Sequence, residues 1–208
     1  LNMYRSPLCG RNFEYMGEDP YLAGKLAVPY IQGLQSNGVA ACVKHYACNN
    51  EERHRHKTDV EVSERALREI YLPAFEMAVK EGDAWSIMAS YNLFRGTHCC
   101  HNGYLINDIL KGEWGFDGLV MSDWAGTHDT KEAVLGGLDV EFGTKVGKKM
   151  PAGESVYDIY YLANPYKEGI LSGEYSMEGL DERVRRVLRL TFKTAMNPDK
   201  PYGSMCTP

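Results

Sequence analysis

Four short apolar runs, each ending in polar or charged residues, constrain this chain more than any other feature. Val39-Ala40-Ala41-Cys42-Val43 stops at Lys44-His45-Tyr46, and Trp85-Ser86-Ile87-Met88-Ala89 stops at Ser90-Tyr91-Asn92. Gly118-Leu119-Val120-Met121 gives way to Ser122-Asp123-Trp124, and Leu138-Asp139-Val140 ends at Glu141-Phe142. Short runs without clear alternation suit strands buried on both faces, which is how strands of parallel sheets read.

Helix signals fall between the runs. Asp19-Pro20 supplies an N-cap acid and a proline at the first helical position, and predicts a helix to about Gln35, ended by Asn37-Gly38. Ser63 caps a second helix over 64–81, with Leu67, Ile70, Tyr71, Ala74, Met77 and Ala78 as its apolar stripe. Gly82 stops it, and Pro73 should kink it. Further helices are expected over 104–113, 130–135, 156–168 and 177–196, the last with Leu180, Val184, Val187, Leu188 and Leu190 on one face. Strands alternating with helices predict a parallel α/β architecture. One domain is expected over 1–196, with 197–208 a tail or truncated linker, and 1–20 reads as an extended loop.

The 208 residues, 44% of them hydrophobic, can bury one core. The net charge of −5 argues against nucleic acid as a partner, because phosphate binding needs clustered cations. The basic stretch Arg53-His54-Arg55-His56-Lys57 is bracketed by acids and reads as a solvated or salt-bridged face. No stretch approaches the roughly 20 apolar residues that span a bilayer. No charged-then-apolar leader opens the chain, so no address is read from it and the compartment stays open. Six cysteines lack CxxC spacing and read as free thiols, with Cys42 in a strand core. Cys99-Cys100 fall in an expected loop, where one could pair elsewhere in an oxidising compartment.

In a parallel α/β barrel the C-terminal strand ends converge on one face, where active sites lie. Lys44, His45, Tyr91, Asp123 and Glu141 are therefore expected to meet, although polar residues entering loops would leave the same pattern. Two chemistries fit. Asp123 suits an ionised nucleophile at a sugar carbon, with Lys44, His45 and Tyr91 gripping hydroxyls and Lys44 favouring the charged acid. Alternatively Lys44 forms a Schiff base, which neighbouring acids would oppose.

Whole strings add a resemblance. Gly10-Arg11-Asn12-Phe13-Glu14 and Gly17-Glu18-Asp19-Pro20 resemble the GRNFE…GEDP segment of glycoside hydrolase family 3. Val43-Lys44-His45-Tyr46 with Asn49, Asn50, Glu52 and Arg55, then Ala89-Ser90-Tyr91-Asn92 with Gly96, are similar to two further segments of that family. So are Gly112-Glu113-Trp114-Gly115-Phe116-Asp117-Gly118 and Val120-Met121-Ser122-Asp123-Trp124. The resemblance implies a retaining hydrolase of terminal, non-reducing β-D-glycosides of the β-glucosidase or β-xylosidase type, acting on a β-linked oligosaccharide or glycoside without cofactor or metal. It implies that Asp123 is the nucleophile and that Arg11, Lys44 and His45 bind the sugar to be cleaved. Tyr91 would lie beside the nucleophile, and Trp124 would wall the pocket for the next sugar. Bland readings stand beside these: Arg11 pairing with Glu14 or Glu18, Trp124 as a core residue, Glu52–Arg55 as a structural ion pair, and no role for His54 or His56.

The chain departs from the family in two ways. A complete eight-stranded barrel takes about 250 residues, so the chain resembles the second half of a TIM-like (β/α)8 barrel, incomplete here. The general acid/base is also missing. Most members supply a Glu from a later sandwich domain. A branch that uses a His after the Lys-His pair carries a KHFPGHG-type string, where this chain has Lys44-His45-Tyr46-Ala47-Cys48-Asn49-Asn50. The remaining barrel half and the sandwich domain are thus expected partners, open sheet edges favour self-association, and the isolated chain is expected to be inactive. A non-catalytic carbohydrate-binding or assembly module derived from the family is the other reading.

Overall fold

The computed structural model describes residues 1–143, 153 and 155–194. Helix α1 (Pro20–Ser36) starts where the sequence places it: the Asp19 carboxylate accepts from the N–H groups of Tyr21 at 2.8 Å and Leu22 at 3.0 Å, satisfying two donors that a helix start leaves orphaned. Strand β1 (Cys42–Tyr46) follows. It begins three residues later than expected and runs through Lys44 and His45 instead of stopping there. The ladder accounts for this: Lys44 pairs with Met88, and the Tyr46 carbonyl accepts from Ser90 N–H at 2.8 Å, so backbone pairing extends past the apolar run.

After β2 (Asp59–Val60), Ser63 caps α2 (Glu64–Ala66), accepting from Ala66 N–H at 3.2 Å. A π-helical turn, Leu67–Tyr71, leads to α3 (Pro73–Lys80). The expected kink at Pro73 is a widened turn, with the proline at the start of α3, where its missing N–H costs no bond. Next come β3 (Ser86–Ala89), β4 (Leu93–Phe94), β5 (Thr97–His98) and a short turn, Cys99–His101. The segment Tyr104–Glu113 is helical over the expected span but π-wound. Then β6 (Leu119–Met121), α4 (Thr130–Gly136), α5 (Val156–Ile159), α6 (Asn164–Leu171) and α7 (Met177–Lys193) complete the described chain. The single helix expected over 156–168 is two, because Pro165 opens α6 and the residues before it leave the helical region. Residues 195–196 of the expected helix 177–196 and the tail 197–208, including Cys206, lie outside the described residues.

β1, β3 and β6 form one parallel sheet in that order, and Val140 adds a parallel bridge to Met121. Val43, Ile87 and Val120 lie in register, and all are buried. The next pleat holds Lys44, Met88 and Met121 in register. Cys42 lies on that more open side, its Sγ 3.7 Å from Met121 Sδ, so it is exposed and not the strand-core residue expected. Cys99 and Cys100 are buried free thiols in a turn packed on the sheet ends. Behind the sheet, Tyr46 stands edge-on to Phe75 and Trp114 and donates to the Leu105 carbonyl at 2.8 Å. A second small sheet, β2-β4-β5, was not expected. Among the described residues no helix is long and apolar enough to cross a membrane.

The arginines of α7 tie down the opposite end of the sheet. Arg186 donates to the Gly118 carbonyl at 2.8 Å, and Arg183 to those of Leu138 at 2.8 Å and Val134 at 2.6 Å. Between them sits the buried Asp139 carboxylate. Its Oδ2 accepts from Val120 N–H at 2.8 Å, and its Oδ1 from Lys111 Nζ at 3.0 Å, with Arg186 Nε at 3.9 Å. A buried charge needs such partners.

Candidate active site

Three of the strand ends meet. β1 delivers His45, the segment after β3 delivers Tyr91, and the turn after β6 delivers Asp123. His45 Nε2 lies 3.5 Å from Asp123 Oδ2, and both side chains are buried. The other imidazole nitrogen, Nδ1, faces the Tyr15 hydroxyl at 3.2 Å. Burial, then the nearby guanidinium of Arg11 and ammonium of Lys44, push His45 down to about 2. The imidazole is therefore neutral, a polar contact and not a counter-ion.

The two oxygens of Asp123 differ. Oδ1 accepts the Trp124 N–H at 2.8 Å. Oδ2 is buried and has no partner within ordinary hydrogen-bond geometry among the described residues; His45 Nε2 faces it at 3.5 Å, and the Tyr91 phenol lies close to the carboxylate. Buried carboxylate oxygens are normally satisfied, so an orphan at a strand end calls for an explanation. Burial first, and the Asp123 charge second, push the Tyr91 phenol well above its ordinary value, so it stays protonated beside the carboxylate.

Glu14 joins two of the expected sugar-binding residues. Its Oε1 pairs with Arg11, and its Oε2 lies 3.4 Å from Lys44 Nζ. Burial opposes its charge, but Arg11 and Lys44 outweigh that and hold the carboxyl below its usual range. So Arg11 does pair with Glu14, and the pairing brings it to Lys44. The sequence offered Glu14 only as a possible partner for Arg11; its bridging role depends on the fold. Arg55 pairs with Glu52 at 3.0 Å as expected, but its guanidinium also lies over the Tyr91 ring, 4.3 Å from the centroid. His56 packs on the same ring at 4.3 Å. The stretch read as a solvated or salt-bridged face thus holds the Arg55–Glu52 ion pair and also turns two members onto the site; the only sequence signal for the latter was that Arg55 follows the Lys-His pair at family spacing.

Trp124 is 51% exposed and stacks on Phe142, with ring centroids 5.3 Å apart and planes 16° from parallel. Glu141 turns away from Asp123: its Oε2 accepts the Leu162 N–H at 2.7 Å, and its Oε1 is buried without a partner. Burial pushes this carboxyl up to about 7. Among the described residues no set of three His, Cys, Asp or Glu side chains is placed to hold a metal.

These groups give an opposed pH dependence. His45 at about 2 and the buried His101 at about 4 titrate below an unfolded imidazole near 6.5. Their contribution to stability is complete above about pH 6.5 and declines as pH falls toward those values. Glu141 has the reverse sign: its contribution is present below about pH 4.5 and is lost as pH rises through about 7. Glu141→Gln is therefore expected to gain in Tm relative to wild type as pH rises from 5 to 8, because it removes a contribution that falls in that window, measured by calorimetry. Parallel Tm curves for variant and wild type would contradict this assignment.

A family model described as "Glycosyl hydrolase family 3 N terminal domain" matches residues 1–190, and the chain belongs to that family. β-Glucosidase BoGH3A of Bacteroides ovatus is 58% identical over 205 residues, covering 99% of this chain and 27% of its own. An exo-α-(1→6)-L-arabinopyranosidase of Bifidobacterium breve is 50% identical over 194 residues, covering 93% and 24%. Among solved structures, β-glucosidase 3B from Thermotoga neapolitana in complex with glycerol aligns with a TM-score of 0.85 at 40% identity, covering 98% of this chain and 28% of that one. The chain thus spans about a quarter of the length of the curated relatives it matches.

Proposed function

We propose that this chain carries the nucleophile and the sugar-gripping side of a retaining β-glycosidase acting on terminal, non-reducing β-D-glycosides, glucosides first. The observation that carries the reading is the asymmetry of Asp123: Oδ1 is held by Trp124 N–H, and buried Oδ2 has no partner within ordinary hydrogen-bond geometry among the described residues. In the first step Oδ2 bonds to the anomeric carbon as the bond from that carbon to the leaving oxygen breaks, and an acid protonates that oxygen. In the second, water attacks the same carbon, gives its proton to the conjugate base of that acid, and Asp123 leaves as a carboxylate. In this reading Arg11, Lys44 and neutral His45 bind sugar hydroxyls, and protonated Tyr91 lies beside the nucleophile. Trp124 faces the next sugar or aglycone.

Glu14, Glu52 and Glu141 do not suit the acid. Glu14 is held charged by Arg11 and Lys44, Glu52 pairs with Arg55, and Glu141 faces backbone. The acid/base is assigned to residues beyond the described ones, and turnover by the 208 residues alone is not expected. Residues 1–196 are read as the second half of a (β/α)8 barrel. The partly open pleat of Met88 and Met121 and the exposed stripe Leu22, Leu26 and Tyr30 on α1 support this, as surfaces for the rest of such a barrel. The arabinopyranosidase relative keeps a second sugar class open to test. A Schiff base on Lys44 is disfavoured, because its Nζ is engaged by Glu14 at 3.4 Å.

A 2-deoxy-2-fluoro-β-glucoside with a good leaving group tests the reading. In the full-length protein it should leave a stable adduct on the peptide bearing Asp123, visible as added mass. An adduct on another acid, or none with turnover intact, would overturn the assignment.

A further inference from the structure

We propose that Phe142 is a positioning residue for the leaving-group side of the pocket, setting the tilt of Trp124 beside Asp123. The inference rests on the reading of Asp123 given above. Phe142 is pinned through its backbone to both sides of the nucleophile. Its N–H donates to the buried Ser122 hydroxyl at 2.9 Å, and its carbonyl accepts from Ala125 N–H at 3.1 Å. One residue earlier in the strap, Glu141 ties to Leu162 N–H at 2.7 Å; one before that, the Val140 carbonyl accepts from Ser122 N–H at 2.9 Å. The segment 160–162 is itself held, since Thr130 Oγ1 donates to the Tyr161 carbonyl at 3.0 Å.

The backbones of Phe142 and Trp124 are both held by hydrogen bonds, so what remains to be set is the orientation of the indole ring. The Trp124 backbone is fixed by Asp123 Oδ1, but its ring is half exposed, and Phe142 is the one aromatic partner it has among the described residues. A near-parallel stack at 5.3 Å selects one indole orientation. The outer indole face then forms a flat apolar platform next to the nucleophile. That surface fits an aromatic aglycone or the apolar face of a second pyranose. Phe142 need not touch the ligand to act; it acts through Trp124.

The test uses the full-length protein and two substrates. An aryl β-glucoside needs the platform; β-glucosyl fluoride has a leaving group of one atom and does not. Phe142→Leu should lower the ratio of kcat/KM for the aryl glucoside to that for the fluoride about fivefold, mostly through KM. Phe142→Tyr, which keeps the stack, should restore the ratio to within about twofold of wild type. An unchanged ratio in Phe142→Leu overturns the proposal, and so does an equal fall in the Leu and Tyr variants. If Phe142→Leu does not fold, Phe142→Met, which fills the space without a ring face, takes its place under the same criteria. Fluoride hydrolysis by Asp123→Asn checks the underlying reading separately: if it survives, the nucleophile assignment fails and the platform with it.

Discussion

Asp123→Asn in the full-length protein should lower kcat for an aryl β-glucoside by about ten-thousand-fold, with little change in Tm. The substitution is isosteric and leaves an amide oxygen that can still accept the Trp124 N–H now bound at 2.8 Å. What is lost is the charge and the lone pair of Oδ2, the oxygen with no partner within ordinary hydrogen-bond geometry among the described residues. An amide is too weak a nucleophile to form the glycosyl ester. Asp123→Gly makes the same point by rescue: azide entering the vacated space should restore cleavage and yield a glycosyl azide of inverted configuration. Steady-state rates and product stereochemistry read both outcomes. A rate for Asp123→Asn within about tenfold of wild type would remove Asp123 from the chemistry.

Asp139→Ala should cost about 3–5 kcal/mol, because it leaves buried cations without their counter-charge. The carboxylate takes Val120 N–H on one oxygen and Lys111 Nζ on the other, with Arg186 nearby. Burial already lowers Lys111 below its ordinary value, so removing Asp139 strands an ammonium that water cannot reach well. For a domain of this size the loss corresponds to roughly 10 °C in Tm. Asp139→Asn should cost less, since the amide oxygen can still take Val120 N–H. Urea unfolding measures both, and a midpoint for Asp139→Ala equal to wild type would show that the network contributes nothing net.

The legible parts of this molecule were those set by neighbours in sequence. Asp19 caps α1 and Ser63 caps α2 because a capping oxygen reaches only two or three residues along the chain. The apolar runs around Val43, Ile87 and Val120 became sheet strands because a parallel strand is buried on both faces. The end of β1 was misjudged because Lys44 and His45 look like a loop, whereas ladder hydrogen bonds are indifferent to side-chain polarity. The two-residue strands β2, β4 and β5 hold too few residues for any periodicity.

The site divides along the same line. The string Ser122-Asp123-Trp124 at a strand end, and the family motifs ordered before it, offer Asp123, Arg11, Lys44, His45, Tyr91 and Trp124 as candidates. Their types and order are properties of the chain, and parallel strands bring their C-terminal ends to one face. Tertiary structure alone decided that Glu14 bridges Arg11 and Lys44, that Arg55 lies over Tyr91, that Glu141 turns to Leu162, and that Phe142 stacks on Trp124. These contacts join residues from separate elements across packing angles and distances of a few ångströms. No spacing rule encodes such geometry; it follows from how the sheet and its loops close on one another.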